Sequence, residues 1–172
     1  IAAEALKLIE ADYEPLPVVT GPKEAALADA PILHEHIPHH VAGEHGNCLK
    51  HYRLENGDIA KGFAEADVII EREYSTQTVE HAFIEPEAGL AAPDPTGRIT
   101  VYCGGQIPFG DRSQIAATLN LPEDRIRVIN CLIGGAFGGK EDVSVQIHVA
   151  LAAMITKRPV KMVLSRKESL MV

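Results

Sequence analysis

The feature that most constrains this chain is the stretch Gly134-Gly135-Ala136-Phe137-Gly138-Gly139-Lys140-Glu141. Before it stands Arg-Ile-Arg-Val-Ile-Asn-Cys-Leu-Ile at 125–133, with the β-branched pattern of a strand. After it comes the largely apolar run 142–155, which reads as a helix. A strand, a glycine-rich loop and a helix in that order require a sheet with helices packed on it. Four glycines around one aromatic let backbone approach a ligand closely, because no Cβ stands in the way and positive φ is accessible. Successive amide N–H groups in such a loop, running into a helix N-terminus, form a concavity suited to anions.

The stretch satisfies all but the last position of the phosphate-binding pattern G-x-x-x-x-G-K-[ST], from Gly134 to Lys140, and fails it at Glu141. A nucleotide loop needs a Ser or Thr hydroxyl there to hold Mg²⁺. Glu141 would instead set a carboxylate beside the phosphates. The next apolar strand, 160–164, is followed by Ser165-Arg166 and not by a metal-binding Asp. Nucleotide hydrolysis is therefore disfavoured. A different cofactor cradle, or a tight turn with no ligand, remains.

The rest of the chain supplies the sheet. Residues 1–14 begin helical, 9–13 alternate as a short strand, and a second short helix fits 22–29 with Pro22 in its first turn. Asp58 is placed as the N-cap of a helix over 59–66 with Phe63 on its buried side. A strand is expected at 67–74, and another at 88–92. Pro93-Asp94-Pro95-Thr96-Gly97 is a turn, and 98–103 is the partner strand. A helix over 108–119 should turn Ile115, Ala116 and Leu119 inward. The apolar helix 142–156 should be deeply buried, Pro159 stops it, and 160–164 adds a strand before a last helical turn at 166–170. The fold class is α+β, a mixed sheet with packed helices.

Composition excludes several function classes. The formal net charge of −8 argues against a nucleic-acid or anionic-membrane surface. No apolar run approaches the ~18 residues of a membrane helix. Three cysteines, Cys48, Cys103 and Cys131, are an odd number at wide spacing. They read as small buried hydrophobes in a reducing cytosol, not as a disulfide framework. Six histidines (34, 36, 39, 40, 45 and 51) cluster in a stretch broken by Pro31, Pro38, Gly43 and Gly46. Imidazoles suit zinc, copper or nickel. Pro38 opposes presentation on one helical face, though, and no cysteine joins them at finger spacing, so a polar linker is the favoured reading. The chain opens at Ile1 in a helical pattern, as a piece of a longer protein would.

Three blocks in order carry a resemblance: Ala11-Asp12-Tyr13-Glu14-Pro15-Leu16-Pro17; then Gly57-Asp58, Phe63 to Asp67, His81 and Glu85-Pro86-Glu87-Ala88; then the strand, the glycine loop and the helix ending Lys157-Arg158-Pro159-Val160-Lys161. Together they resemble the molybdenum-binding subunit of the xanthine dehydrogenase/aldehyde oxidase family. That resemblance implies the C-terminal part of a small hammerhead domain over 1–35, a His-rich linker over 36–57, and the first part of a molybdopterin-binding domain over 58–172. It implies a cytoplasmic, oligomeric molybdenum hydroxylase whose electrons leave through iron–sulfur clusters and FAD on partner domains or subunits.

The resemblance implies that Phe137 and Gly138, which match directly, lie against the molybdenum–dithiolene end of the cofactor, and Gly135 of the same loop is also expected to bind it. Glu141 falls where xanthine-oxidising members hold a substrate-contacting glutamate, favouring a purine or related N-heterocycle over an aldehyde. Family members such as the animal enzymes carry a cofactor-contacting Gln where this chain has Val79. Gln106 is a substitute on chemistry alone. His81, Glu85 and Glu87 read as scaffold, and Lys140 as structural or solvent-facing. The catalytic glutamate and most pterin contacts lie beyond the matched region, so the isolated chain is expected to bind no molybdopterin stably and to be inactive. The rival class is a non-catalytic anion-binding or docking module, and within the family an aldehyde- or nicotinate-type hydroxylase is the alternative.

Overall fold

The computed structural model describes residues 2–34 and 46–172. The chain divides into two compact units, Ile1–Arg72 and Glu73–Val172. Among the described residues no helix is long and apolar enough to cross a membrane. Four of the six clustered histidines (36, 39, 40 and 45) lie outside the described residues.

The first unit contains α1 (Ala2–Leu6), α2 (Pro22–Ala25) and α3 (Ile59–Glu65). Asn47 organises the turn after α2: its Nδ2 donates to Ala25 O and Pro31 O, both at 3.0 Å, and its Oδ1 accepts from Leu33 N at 2.9 Å. Asp58 caps α3 as its position predicts, Oδ1 accepting from Lys61 N at 2.9 Å. Phe63 departs from expectation. It is 59% exposed, and the seven-residue α3 buries no residue at all. The strands expected at 9–13 and 67–74 do not form. Alternating side chains make a strand only where a neighbour completes the ladder, and neither segment belongs to the sheet.

The second unit is a four-stranded sheet in the order β3-β2-β1-β4, built from β1 (Ala88–Pro93), β2 (Ile99–Cys103), β3 (Ile126–Asn130) and β4 (Val160–Val163). β1 runs antiparallel to both β2 and β4, whereas β2 and β3 are parallel, joined through α4 (Pro108–Thr118). The β1–β2 turn is held by Asp94, whose Oδ1 accepts from Thr96 N, Thr96 Oγ1 and Arg98 N at 2.8, 2.7 and 3.1 Å. α5 (Gln146–Thr156) packs on β1 and β2, and α4 on β3. The core lies between these helices and the sheet. Ile99, Ile115 and Ile126 are its largest fully buried aliphatics, each contributing roughly 1.5–3 kcal/mol by burial. A short α6 (Arg166–Ser169) carries a Ser165–Glu168 capping box.

Two expectations fail here. α5 begins at Gln146, not near Asp142, and Leu151 and Ile155 on it are exposed, so it is a one-sided core helix. Its late start has a local cause: Gln146 turns its side-chain Oε1 back onto Ser144 N at 2.8 Å, and Val145 provides no side-chain cap. The cysteines also divide. Cys103 is buried, Cys48 half-buried and Cys131 exposed, so only Cys103 fits the core reading fully.

Candidate functional site

The site is built where β3 ends. Cys131 N still donates to Cys103 O at 2.8 Å, and the chain then leaves the sheet as the glycine loop. Gly135 and Gly138 adopt φ of +102° and +95°, which only glycine reaches without strain, and Phe137 between them takes φ +55°. A non-glycine residue in that region is strained, and here the strain displays an aromatic ring that is 77% exposed.

The loop is tied at both ends by one residue from a distant segment. Glu85 Oε2 accepts from Gly134 N at 2.7 Å and from Lys140 Nζ at 3.1 Å, while Glu85 O accepts from the same ammonium at 2.9 Å. Gly134 is glycine for want of room: a Cβ there would stand 2.7 Å from Glu85 Cβ. Lys140 is only 4% exposed, and its Nζ also lies 4.5 Å from the centroid of the Phe83 ring. The 83–85 segment is gripped from its other side by Arg166, which donates to Phe83 O at 2.8 Å and to Ile84 O. The Gly134 N–H, with Lys140 behind it, holds the Glu85 carboxyl below its usual range, against the opposing effect of partial burial.

Gln106 secures the far side of the loop. Its Oε1 accepts from Gly138 N at 3.1 Å and Lys140 N at 3.2 Å, and its backbone N–H donates to Lys140 O at 2.9 Å. Two turn bonds, Gly139 N to Ala136 O and Glu141 N to Gly138 O, complete the frame. The N–H groups of Gly135, Ala136 and Phe137 find no acceptor among the described residues. Unengaged amides beside an exposed aromatic ring suit an anionic or flat ligand, although Ala136 itself is buried.

The structure thus gathers Gly135, Phe137, Gly138 and Gln106 in one place, but it divides their work. Gly138 has its N–H engaged by Gln106, and Gln106 faces the loop through its side-chain oxygen. The loop also does not run straight into a helix N-terminus, because residues 142–145 separate Glu141 from α5. Glu141 is exposed, and its carboxylate has no partner among the described residues. His81 lies against the loop, its ring atoms 3.0 Å from where a Cβ on Gly139 would stand. Lys140 is buried and ion-paired, not solvent-facing. Neither its role nor that of Glu85 follows from sequence spacing, since the two are 55 residues apart; the Glu85-Pro86-Glu87 block marks the segment only.

The chain matches the molybdopterin cofactor-binding domain model over residues 33–172. It belongs to that family. The match places it within the xanthine dehydrogenase/aldehyde oxidase family, as the three sequence blocks imply. It is 37% identical to a probable xanthine dehydrogenase subunit of Bacillus subtilis, over 98% of this chain and 22% of that protein. It is 41% identical to the nicotinate dehydrogenase large molybdopterin subunit of Eubacterium barkeri, over 98% of this chain and 38% of that protein. Among solved structures it superposes on the aldehyde oxidoreductase of Desulfovibrio gigas with a TM-score of 0.80 at 25% identity, covering 98% of this chain and 18% of that one. The reconstituted CO dehydrogenase of Oligotropha carboxidovorans gives 0.77 at 34% identity, covering 98% and 22%. The chain therefore spans well under half the length of these relatives. Over the matched region, the α+β architecture of a mixed sheet with packed helices is shared with these solved structures.

Proposed function

We propose that this chain forms one wall of the molybdopterin site in a molybdenum hydroxylase that oxidises a purine such as xanthine, or a related N-heterocycle, with oxygen derived from water. The observation that carries the reading is the glycine loop, clasped at both ends and displaying Phe137 beside amides that find no acceptor among the described residues. When bound, molybdopterin-held molybdenum supplies the two-electron redox chemistry. The N–H groups of Gly135, Ala136 and Phe137 would donate to the cofactor, Gly138 would let it approach without a Cβ, and the Phe137 ring would shield it from water. Gln106 would hold the loop and keep its Nε2 as a further donor.

Glu141, one residue past the buried Lys140, carries the substrate inference. An unpaired carboxylate there can accept from a ring N–H and bias the developing charge on the ring. The similarity to a nicotinate dehydrogenase subunit favours a second reading, a pyridine-type N-heterocycle as substrate. The catalytic base and the remaining pterin contacts would come from elsewhere in the protein, so these residues alone would turn over no substrate. Iron–sulfur and FAD subunits or domains would take the electrons. Residues 1–35 would close a hammerhead domain, 36–57 would link it to the cofactor domain at 58–172, and the assembly would be oligomeric and cytoplasmic.

The test is metal and pterin analysis of the purified full-length protein, with steady-state rates on xanthine, nicotinate and an aldehyde for wild type and Glu141→Ala. Stoichiometric molybdenum with pterin is expected. Losing a hydrogen bond to a charged group, worth about 1.5–3 kcal/mol, should cut kcat/KM for xanthine roughly 10- to 150-fold and spare the aldehyde. Absence of molybdenum would refute the hydroxylase. Faster turnover of nicotinate than of xanthine would refute the purine assignment.

A further inference from the structure

We propose that Glu85 and Lys140 are positioning residues for the cofactor, acting together as a clasp that sets the span of the glycine loop. The inference rests on the reading that this loop carries molybdopterin, and it adds the groups that shape the loop without touching the ligand themselves.

The geometry assigns the clasp a task beyond packing. A single carboxylate oxygen, Glu85 Oε2, receives the N–H at the loop's entrance and the ammonium at its exit, so residues 134 and 140 are held to one point. The ammonium makes a second bond to Glu85 O, and Glu85 N donates to Gly134 O at 3.3 Å, so backbone and side chain of one residue grip both ends. Between them the chain passes through Gly135, Phe137 and Gly138, all at positive φ. Such a path is one of many open to a glycine-rich segment, and a glycine-rich segment loses more backbone freedom on ordering than any other. A fixed end-to-end span selects among those paths.

Burial sharpens the point. The Lys140 side chain is 3% exposed and that of Glu85 39%. Desolvating an ammonium is costly, and apolar replacement of a buried ion pair is commonly neutral or stabilising for the fold. A methionine at 140 would fill the same space against Phe83. Stability alone therefore does not call for a lysine here. What methionine cannot do is hold Glu85 at the loop entrance, where Gly134 N needs it. The clasp thus serves a defined loop and not the stability of the fold.

The experiment compares wild type, Lys140→Met, Glu85→Gln and the double variant in the full-length protein, with three readouts: amide hydrogen exchange at 134–141, the rate of molybdenum and pterin loss on dilution, and thermal unfolding. Each single variant should speed loop exchange and cofactor loss by about tenfold or more, as the loss of one charged hydrogen bond would. In Lys140→Met and the double variant, exchange in β1, β2 and α5 and the Tm should stay close to wild type, whereas Glu85→Gln strands the buried Lys140 ammonium and should lower the Tm. The double variant should be no worse than Lys140→Met, because both remove one device. If Lys140→Met does not fold, Glu85→Gln carries the comparison. Wild-type loop exchange in a folded single variant would overturn the proposal, as would additive losses in the double variant or, in Lys140→Met, cofactor loss that merely tracks a fall in Tm. A wild-type protein without pterin would refute the hydroxylase reading, and loop exchange would still decide whether the clasp sets the loop.

Discussion

Replacing Gln106 by leucine isolates the other support of the loop. Its Oε1 accepts from Gly138 N at 3.1 Å and Lys140 N at 3.2 Å, and leucine deletes both bonds while keeping similar volume. The two amides then fare differently. Gly138 is exposed, so water replaces the lost acceptor at little cost. Lys140 is 4% exposed, and an unsatisfied buried donor costs about 1–3 kcal/mol. The backbone bond from Gln106 N to Lys140 O, at 2.9 Å, survives the substitution and keeps the loop against residue 106. The penalty therefore falls on local opening of the loop, not on global unfolding. At about 1.4 kcal/mol per tenfold, amide exchange at Lys140 should accelerate roughly 5- to 150-fold. Exchange at Gly138 should rise too, because both amides are released by the same opening. Gln106→Glu retains both acceptor geometries and should stay near wild type. Native-state hydrogen exchange, read at single residues, measures this directly. Unchanged exchange at Lys140 in the leucine variant, or a glutamate variant as fast as leucine, would refute the assignment of Gln106 as a loop support.

Gly139→Ala would set its Cβ 2.8 Å from Phe83 Cε1 and 3.0 Å from two ring atoms of His81, an overpacking worth about 1–3 kcal/mol; a wild-type midpoint in urea would count against that packing. Glu85 has a lowered folded pKa, so its contribution is complete above the pH where a free glutamate titrates and is lost as pH falls through the depressed folded value. Loop protection in wild type, taken relative to the intrinsic amide exchange rate at each pH, should accordingly fall in acid and converge on that of Glu85→Gln, and parallel protection profiles would rule this out. Asp111 behaves in the opposite sense. Burial raises its pKa and its Oδ1 has no hydrogen-bond partner, so stability contributed at low pH declines as pH rises from the free-aspartate value towards the raised one. Asp111→Asn should flatten that part of the stability profile in urea titrations at several pH values; an unchanged slope would contradict it.

Much of the second unit is legible in the sequence because its signals are local. Pro93 to Gly97 carries its own turn chemistry, Ser165 and Glu168 stand at capping-box spacing, and the strands at 88–92, 98–103 and 160–164 alternate or run apolar as paired strands do. Phe137 as an exposed ring among glycines also follows from the residues themselves. What is not legible depends on partners that sequence order does not reveal. Residues 67–74 alternate well yet join no ladder, and Phe63 keeps a helical spacing on a helix with no buried face. The start of α5 departs from its apolar pattern because Gln146 competes for the turn through its own side chain. In the site, the family resemblance locates the loop, whereas Lys140 reads as either structural or solvent-facing because lysine is usually a surface residue. Its burial arises from Glu85 and Phe83, which the segment leading into β1 lays beside the loop.

The fixed ends of the loop have one further consequence. An arch whose footings are held by Glu85 and Gln106 can exchange the residues along its crown without rebuilding its base. Phe137 and Glu141 are exposed and lie outside the side-chain bonds that grip residues 134 and 140. Chemistry at those positions can then drift, from carboxylate to apolar or from aromatic to aliphatic, while the amides stay where they are. Such a frame lets one scaffold be retuned from one small molecule to another by single substitutions, with little risk to folding.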